Sequence, residues 1–301
     1  MMSFEAFLQL SSQQVADLVR ESGPKVVVFP INGTRRWFML EYGQEHWDDP
    51  LEAYVERVGG QTIALNRLIF DHGIHTLLIP VLGREMLETR ENYMEQLGAR
   101  GLAWLASHPD FLSFYQEYGV RVRFYGDYRP KIQSTPYAYL LDMFDEVMEK
   151  TSRNDRHRLF YGVFADDATS TLACLSIRYH QERGVVPDKQ TLIQLYYGEP
   201  LSPADIFIGF DKFSVYDYPL LSCGQEDLYF TAAPSLYMTE RQLRAILYDY
   251  LYLRRASQLP YETLTAQAWK HLRQFYGEYR HVTFGTGRLE NGVWLPHLGR
   301  D

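Results

Sequence analysis

Two adjacent arginines follow a glycine at the end of an apolar run: residues 26–38 read VVVFPINGTRRWF. Gly33 lets the backbone come close to a ligand. Thr34 adds a hydroxyl donor, and Arg35 and Arg36 can each grip phosphate oxygens in fork geometry. Successive turn N–H groups can form an anion nest. Asn32 through Arg36 thus carry parts suited to a diphosphate, with Trp37 expected to pack the loop. The bland alternative is a surface Asn-Gly turn followed by solvated arginines. The hexapeptide is neither a Walker A loop nor a dinucleotide fingerprint.

A position of this kind needs a strand before it. Lys25–Phe29 is a continuous Val/Phe run, as expected of a strand covered on both faces. Further strands are expected at 74–82, 120–126, 159–165, 204–210 and 227–232. Helices are expected at 51–71, from Glu85 to about Ser107, and at 135–151, 168–181, 188–197, 238–255 and 262–277. Thr239 is placed as an N-cap, and Glu290-Asn291-Gly292 reads as a hairpin turn. This alternation predicts an α/β fold: a mostly parallel sheet of about six strands wrapped by helices. In such sheets ligands bind outside the carboxyl ends of the strands, where Asn32–Trp37 would sit. The chain is read as a single domain spanning 1–301, with a core at about 20–255 and a C-terminal helix and hairpin appended from 256.

A net charge of −8 disfavours a general nucleic-acid binder. Two cysteines, Cys174 and Cys223, make neither a disulfide framework nor a zinc site, and neither has a neighbouring activating group. A reducing cytoplasm is the expected compartment. No stretch reads as a signal peptide or a membrane span. Tyrosine is the outlier, with 23 copies; an aromatic core explains it, and so would an aromatic-lined pocket.

Strand-NGTRRW resembles the Asp-Gly-Asn-Gly-Arg-Trp loop of cis-prenyltransferases, the undecaprenyl diphosphate synthase family. GIHTLLIPVLGRE (73–85), GVRVRFYGD (119–127) and EDLYFT (226–231) are similar to that family's later landmarks, in order. A closer resemblance is to an offshoot of that fold, the diterpene synthases and transferases of tuberculosinyl and kolavelool type. It rests on GPKVVVFPINGTRRWF (23–38), FYGDY (124–128), FIGFDKFSVYDYPLLS (207–222), LYFTAAPSLYMTE (228–240) and LRAILYDYLYLR (243–254). The resemblance implies ionisation of one bicyclic diterpenyl diphosphate, of kolavenyl or tuberculosinyl type. Water would quench the allylic cation, leaving a tertiary alcohol and pyrophosphate. Transfer to adenosine, or an inactive partner subunit, are the alternatives. A homodimer and Mg²⁺ are implied in the same way.

Two departures matter. The prenyltransferases bind isopentenyl diphosphate with an Arg-rich block before the ELYFT-like strand. Here that block reads GFDKFSVYDYP (209–219) and has no arginine, so chain elongation is not expected. Both families also open the loop with Asp, where this chain has Asn32. An amide can donate to phosphate but is a poor hard-metal ligand. Three readings stay open: Arg35 and Arg36 supply the charge neutralisation, Asp48 or Asp49 holds the metal, or Asn32 is an inactivating change made to trap substrate.

The resemblance also carries over two tyrosines, Tyr54 and Tyr93, as groups that shelter the cation or orient water. Tyrosine rings offer about 0.5–2 kcal/mol of cation–π attraction each. Their bland reading is core or surface tyrosine. Arg84 and Arg90 are weaker phosphate candidates, better read as solvated charge. Asp166 and Asp167 are read as a helix cap before a metal site, Asp127 as a turn residue, and His72 and His75 as structural.

Overall fold

The computed structural model describes residues 2–83, 94–165, 168–256 and 260–298. Its centre is a six-stranded sheet formed by β1 (Val26–Val28), β2 (Thr76–Leu82), β3 (Val120–Tyr125), β4 (His157–Val163), β5 (Ile206–Phe210) and β6 (Asp227–Thr231). The order across the sheet is β3-β4-β2-β1-β5-β6. Every pairing in this sheet is parallel, as the alternation of strands and helices predicts.

The central strands alternate between two buried layers. Val27, Leu77, Leu159 and Ile206 enter one layer, together with most of the helices. Val26, Val28, Leu78, Phe160 and Phe207 enter the other. The larger layer is covered by α1 (Phe4–Leu8), α2 (Ser12–Ser22), α3 (Thr34–Tyr42), α4 (Pro50–Asp71), α5 (Ala99–Ser107), α6 (Pro109–Glu117), α7 (Tyr128–Gln133), α8 (Tyr139–Lys150) and α11 (Glu240–Tyr248). The other is covered by α9 (Ala168–Arg183) and α10 (Lys189–Tyr197). A final helix, α12 (Ala266–Tyr279), precedes an antiparallel hairpin, β7 (Gly287–Glu290) and β8 (Val293–Pro296). The hairpin turns at Asn291 and Gly292, both at positive φ (48° and 79°), which is what an Asn-Gly two-residue turn requires.

Several helices differ from the periodicity. The span expected as one helix from Glu85 to Ser107 is, in its described part, a π-helical turn at Met94–Gly98 running into α5. Similarly, the run expected as a helix over 238–255 is α11 followed by a π turn at Asp249–Leu253. There the Asp249 carboxylate accepts from the Tyr229 hydroxyl (2.7 Å) and Arg254 Nε (2.7 Å). Thr239 caps α11 in a full capping box with Gln242. Helices α1, α2, α3, α6 and α7 stand outside the expected set, although α2 buries a regular apolar face of Val15, Ala16 and Val19.

The N-terminal helices are pinned by one buried guanidinium. Arg244, 6% exposed, donates to the Leu8 and Leu10 carbonyls (3.2 and 2.6 Å), while His72 Nε2 accepts from its Nε at 3.2 Å. His72 Nδ1 lies 2.8 Å from the Leu68 carbonyl, so His72 is bound up in packing.

Candidate active site

The chain runs β1→β2 toward one side of the sheet and returns on the other side of β1 as β5. The crevice beyond β1 is therefore the switch point where open α/β sheets bind ligands. Asn32 and Gly33 lie there. Ser235 clamps them: the Asn32 N–H donates to Ser235 Oγ (3.1 Å), and the Ser235 N–H donates back to the Asn32 carbonyl (3.0 Å).

The next residues form a helix and not the turn read from the sequence. Gly33 stands at the N-cap of α3 with φ 74°, and no side chain caps the helix. Thr34, Arg35 and Arg36 therefore occupy its first turn, where N–H groups without carbonyl partners inside the helix and the helix dipole favour an anion. An added Cβ at Gly33 would lie 2.7 Å from Phe210 Cε1 and 3.0 Å from Pro234 Cβ. Trp37 is buried with its ring 5.5 Å from that of Tyr42; it packs the helix.

Arg36 leans toward β5. Its guanidinium lies over the Phe210 ring at 5.3 Å, with Nη1 3.6 Å from Asp211 Oδ2. Asp211 has φ 69°, and its Oδ1 is shut off from solvent with no hydrogen-bond partner among the described residues. Tyr216, from the loop joining β5 to β6, accepts a hydrogen bond from the Asn32 amide Nδ2. Burial pushes the Tyr216 hydroxyl up to about 12, so it stays protonated in ordinary buffers.

On the other side of Asn32 a cavity of about 160 Å³ opens between β2 and helices α4 and α5. Ile31, Thr34, Tyr54, Trp104, Phe111 and Tyr161 are among the residues that line it. The Thr34 and Tyr54 hydroxyls are 2.6 Å apart. Next to the lining, the Tyr115 hydroxyl donates to the Leu105 carbonyl (2.8 Å), which leaves the Tyr161 hydroxyl as donor to Tyr115 across 2.9 Å. Tyr161 lines the cavity with its hydroxyl proton committed to Tyr115. Burial raises the pKa of both phenols, so neither ionises there.

The structure thus brings Asn32, Gly33, Thr34, Arg35, Arg36 and Tyr54 together. Tyr93, Arg84, Arg90, Asp166 and Asp167 lie outside the described residues. Asp49 serves elsewhere. It caps α4, accepting from the Leu51 and Glu52 N–H groups (3.0 and 3.1 Å), and pairs with Arg100. Both interactions lower its pKa, so its oxygens are committed. Cys174 and Cys223 are exposed thiols. Sequence reasoning missed Phe210, Asp211 and Tyr216, which enter it only as a block without arginine. It also missed Trp104, Phe111 and Tyr161. The position of GFDKFSVYDYP just beyond a strand was the signal that could have found the first three.

Among the described residues no three His, Cys, Asp or Glu side chains cluster as a metal site, and no helix is long and apolar enough to cross a membrane. A single hard cation shared with a diphosphate asks for less. Mg²⁺ is commonly held by one or two carboxylates plus substrate phosphates. The unpartnered Oδ1 of Asp211 and the amide oxygen of Asn32 are compatible with that donor set.

No family model matches the chain. Two solved structures share the fold. Lavandulyl diphosphate synthase from Lavandula x intermedia, in complex with dimethylallyl diphosphate, superposes with a TM-score of 0.60 at 17% identity, over 81% of this chain and 98% of that one. A probable undecaprenyl diphosphate synthase from Campylobacter jejuni gives 0.56 at 15%, over 78% and 97%. Among curated proteins, (+)-kolavelool synthase from Herpetosiphon aurantiacus is 28% identical over 92% of this chain and 91% of its own. Tuberculosinyl adenosine transferase from Mycobacterium tuberculosis is 42% identical over 297 residues, 98% of each chain. With that identity maintained from end to end, the chain belongs to the family of tuberculosinyl adenosine transferase, built on the cis-prenyltransferase fold.

Proposed function

We propose that the protein ionises a bicyclic diterpenyl diphosphate and captures the allylic cation with water, releasing a tertiary alcohol and pyrophosphate. One observation carries this reading. An uncapped helix N-terminus bearing Arg35 and Arg36 stands beside an aromatic-walled cavity whose lining includes two hydrogen-bonded hydroxyls, Thr34 and Tyr54.

The chemistry follows from that layout. The C–O bond to the diphosphate breaks heterolytically, and the electron pair leaves with the phosphate. Arg35, Arg36 and the first N–H groups of α3 stabilise the charge that develops on the leaving group. The carbocation is sheltered by the rings of Tyr54, Trp104, Phe111 and Tyr161. Water held by the Thr34 and Tyr54 hydroxyls forms the new C–O bond, and its proton passes to the released pyrophosphate. Bound Mg²⁺ would withdraw further charge from the leaving group, and the amide oxygen of Asn32 is one group that could hold it. A cavity of about 160 Å³ is close to the size that admits a single six-membered ring, judged by cavities of about 150 Å³ that bind benzene. The remainder of a bicyclic twenty-carbon chain would lie past Thr34 and Tyr54. The arginine-free block at 209–219 offers no clamp for a second diphosphate, so condensation with isopentenyl diphosphate is not part of the proposal.

A second reading, transfer to adenosine, is favoured by the 42% identity to tuberculosinyl adenosine transferase. Kolavenyl and tuberculosinyl diphosphates, each with and without adenosine, are the assay, with products followed by mass spectrometry. We expect an alcohol from one of them in the absence of adenosine. We also expect its kcat/KM to fall at least tenfold in both Arg35→Ala and Arg36→Ala, since a hydrogen bond to a charged group contributes about 1.5–3 kcal/mol. An adenosine adduct as the dominant product supports the second reading. No consumption of either diphosphate refutes both.

A further inference from the structure

We propose that Asp211, at the end of β5, is the carboxylate that holds a divalent cation against the departing diphosphate, a role that the neutral Asn32 cannot fill alone. The assignment rests on the diphosphate reading above.

The geometry places Asp211 in the same corner as the anion-binding turn. It directly follows Phe210, whose ring touches Gly33 and lies under the Arg36 guanidinium. One carboxylate oxygen faces Arg36 at 3.6 Å, while the other is buried and has no donor among the described residues. A buried, unsatisfied carboxylate oxygen is costly and calls for a counter-group. Arg36 supplies only part of that need, because its long contact engages Oδ2 alone. The backbone of Asp211 is also left-handed, φ 69°, and is kept there by its N–H bond to the Thr231 carbonyl (3.1 Å). The position is thus imposed by the sheet and not relaxed toward an easier partner.

A bare carboxylate at this corner would repel an incoming diphosphate. A divalent cation reverses that interaction, because Mg²⁺ takes one or two carboxylates and completes its octahedron with phosphate oxygens and water. The Asn32 side chain has an oxygen of the right chemistry for the same cation. Its N–H side is committed to Tyr216, which leaves the amide oxygen as a neutral ligand.

A purely positioning role for Asp211, aiming Arg36 through the ion pair, makes a different prediction. The experiment is calorimetric binding of inorganic pyrophosphate to the full chain, in excess Mg²⁺ and in EDTA, with no turnover involved. For the wild type, Mg²⁺ is expected to tighten binding at least tenfold. In Asp211→Asn that gain shrinks to within twofold, while metal-free binding is unchanged or tighter. Asparagine tolerates a left-handed backbone as well as aspartate does, so this variant retains the fold. Arg36→Ala provides an independent check: its metal-free affinity falls, but its Mg²⁺ gain persists. Retention of the gain in Asp211→Asn overturns the assignment, as does a wild-type affinity indifferent to Mg²⁺. A wild type that binds no pyrophosphate under either condition instead sinks the diphosphate reading, and this assignment with it.

Discussion

Gly33→Ala tests the corner most directly, because two penalties can be read from its geometry. The native φ of 74° disfavours any L-residue with a Cβ by about 1–2 kcal/mol. The new methyl would also lie 2.7 Å from the Phe210 ring and 3.0 Å from Pro234. Forcing a methyl into a packed site costs about 1–3 kcal/mol. Together these give a loss of about 2–5 kcal/mol in unfolding free energy. Equilibrium urea unfolding measures it: the midpoint falls while the slope is unchanged. Relief by displacing Phe210 would move the platform under Arg36, so pyrophosphate affinity should fall in the same variant. A Gly33→Ala protein within about 0.5 kcal/mol of wild type, the scatter typical of neutral surface substitutions, and with undiminished pyrophosphate binding, would refute this account of the helix start.

Two further outcomes follow from the geometry. Tyr54→Phe removes the 2.6 Å contact with Thr34 but keeps the ring; kcat should fall about 2- to 12-fold, for a loss of about 0.5–1.5 kcal/mol. Tyr54→Ala, which also removes the ring, should fall further, and equal rates for the two would argue against a cation at this face. Burial pulls the His157 imidazole down to about 4 despite its contact with the Ile74 carbonyl, where the unfolded chain titrates near its usual 6.5. Its folded value being depressed, the unfolded state binds the extra proton. Stability is full above about pH 6.5 and declines as pH falls toward 4. The wild-type decline over that window should exceed that of His157→Gln when both are followed by urea unfolding.

The site was legible in the chain only where neighbours in sequence are neighbours in space. Asn32 through Arg36 could be picked out because a turn after a buried strand is local information. Their conformation could not. α3 starts on a glycine with no Ser, Thr, Asp or Asn cap and no capping box, so no local signal announces a helix. The same start puts no capping side chain over the first turn of the helix, where an anion is favoured. Asp211 and Tyr216 lie more than 170 residues further along, and nothing within a few residues of either marks it as a partner of Asn32 or Arg36. Asp49 shows the opposite case: a paired-acid motif suggested metal, and the structure places Asp49 as the N-cap of α4, just before Pro50.

Sequence alone determined the six strands and, from their alternation with helices, a mostly parallel sheet; the unbroken Val run of the first strand also announced its burial on both faces. It also determined that an arginine pair follows the first of them. Tertiary structure decided which strand lies beside β1. Placing β5 there brings Phe210, Asp211 and Tyr216 onto the arginine corner. The reason is physical: hydrophobic alternation specifies that a strand is buried, but is blind to its neighbour. That choice is made by packing among residues far apart in the chain, and the chemistry of the site depends on it.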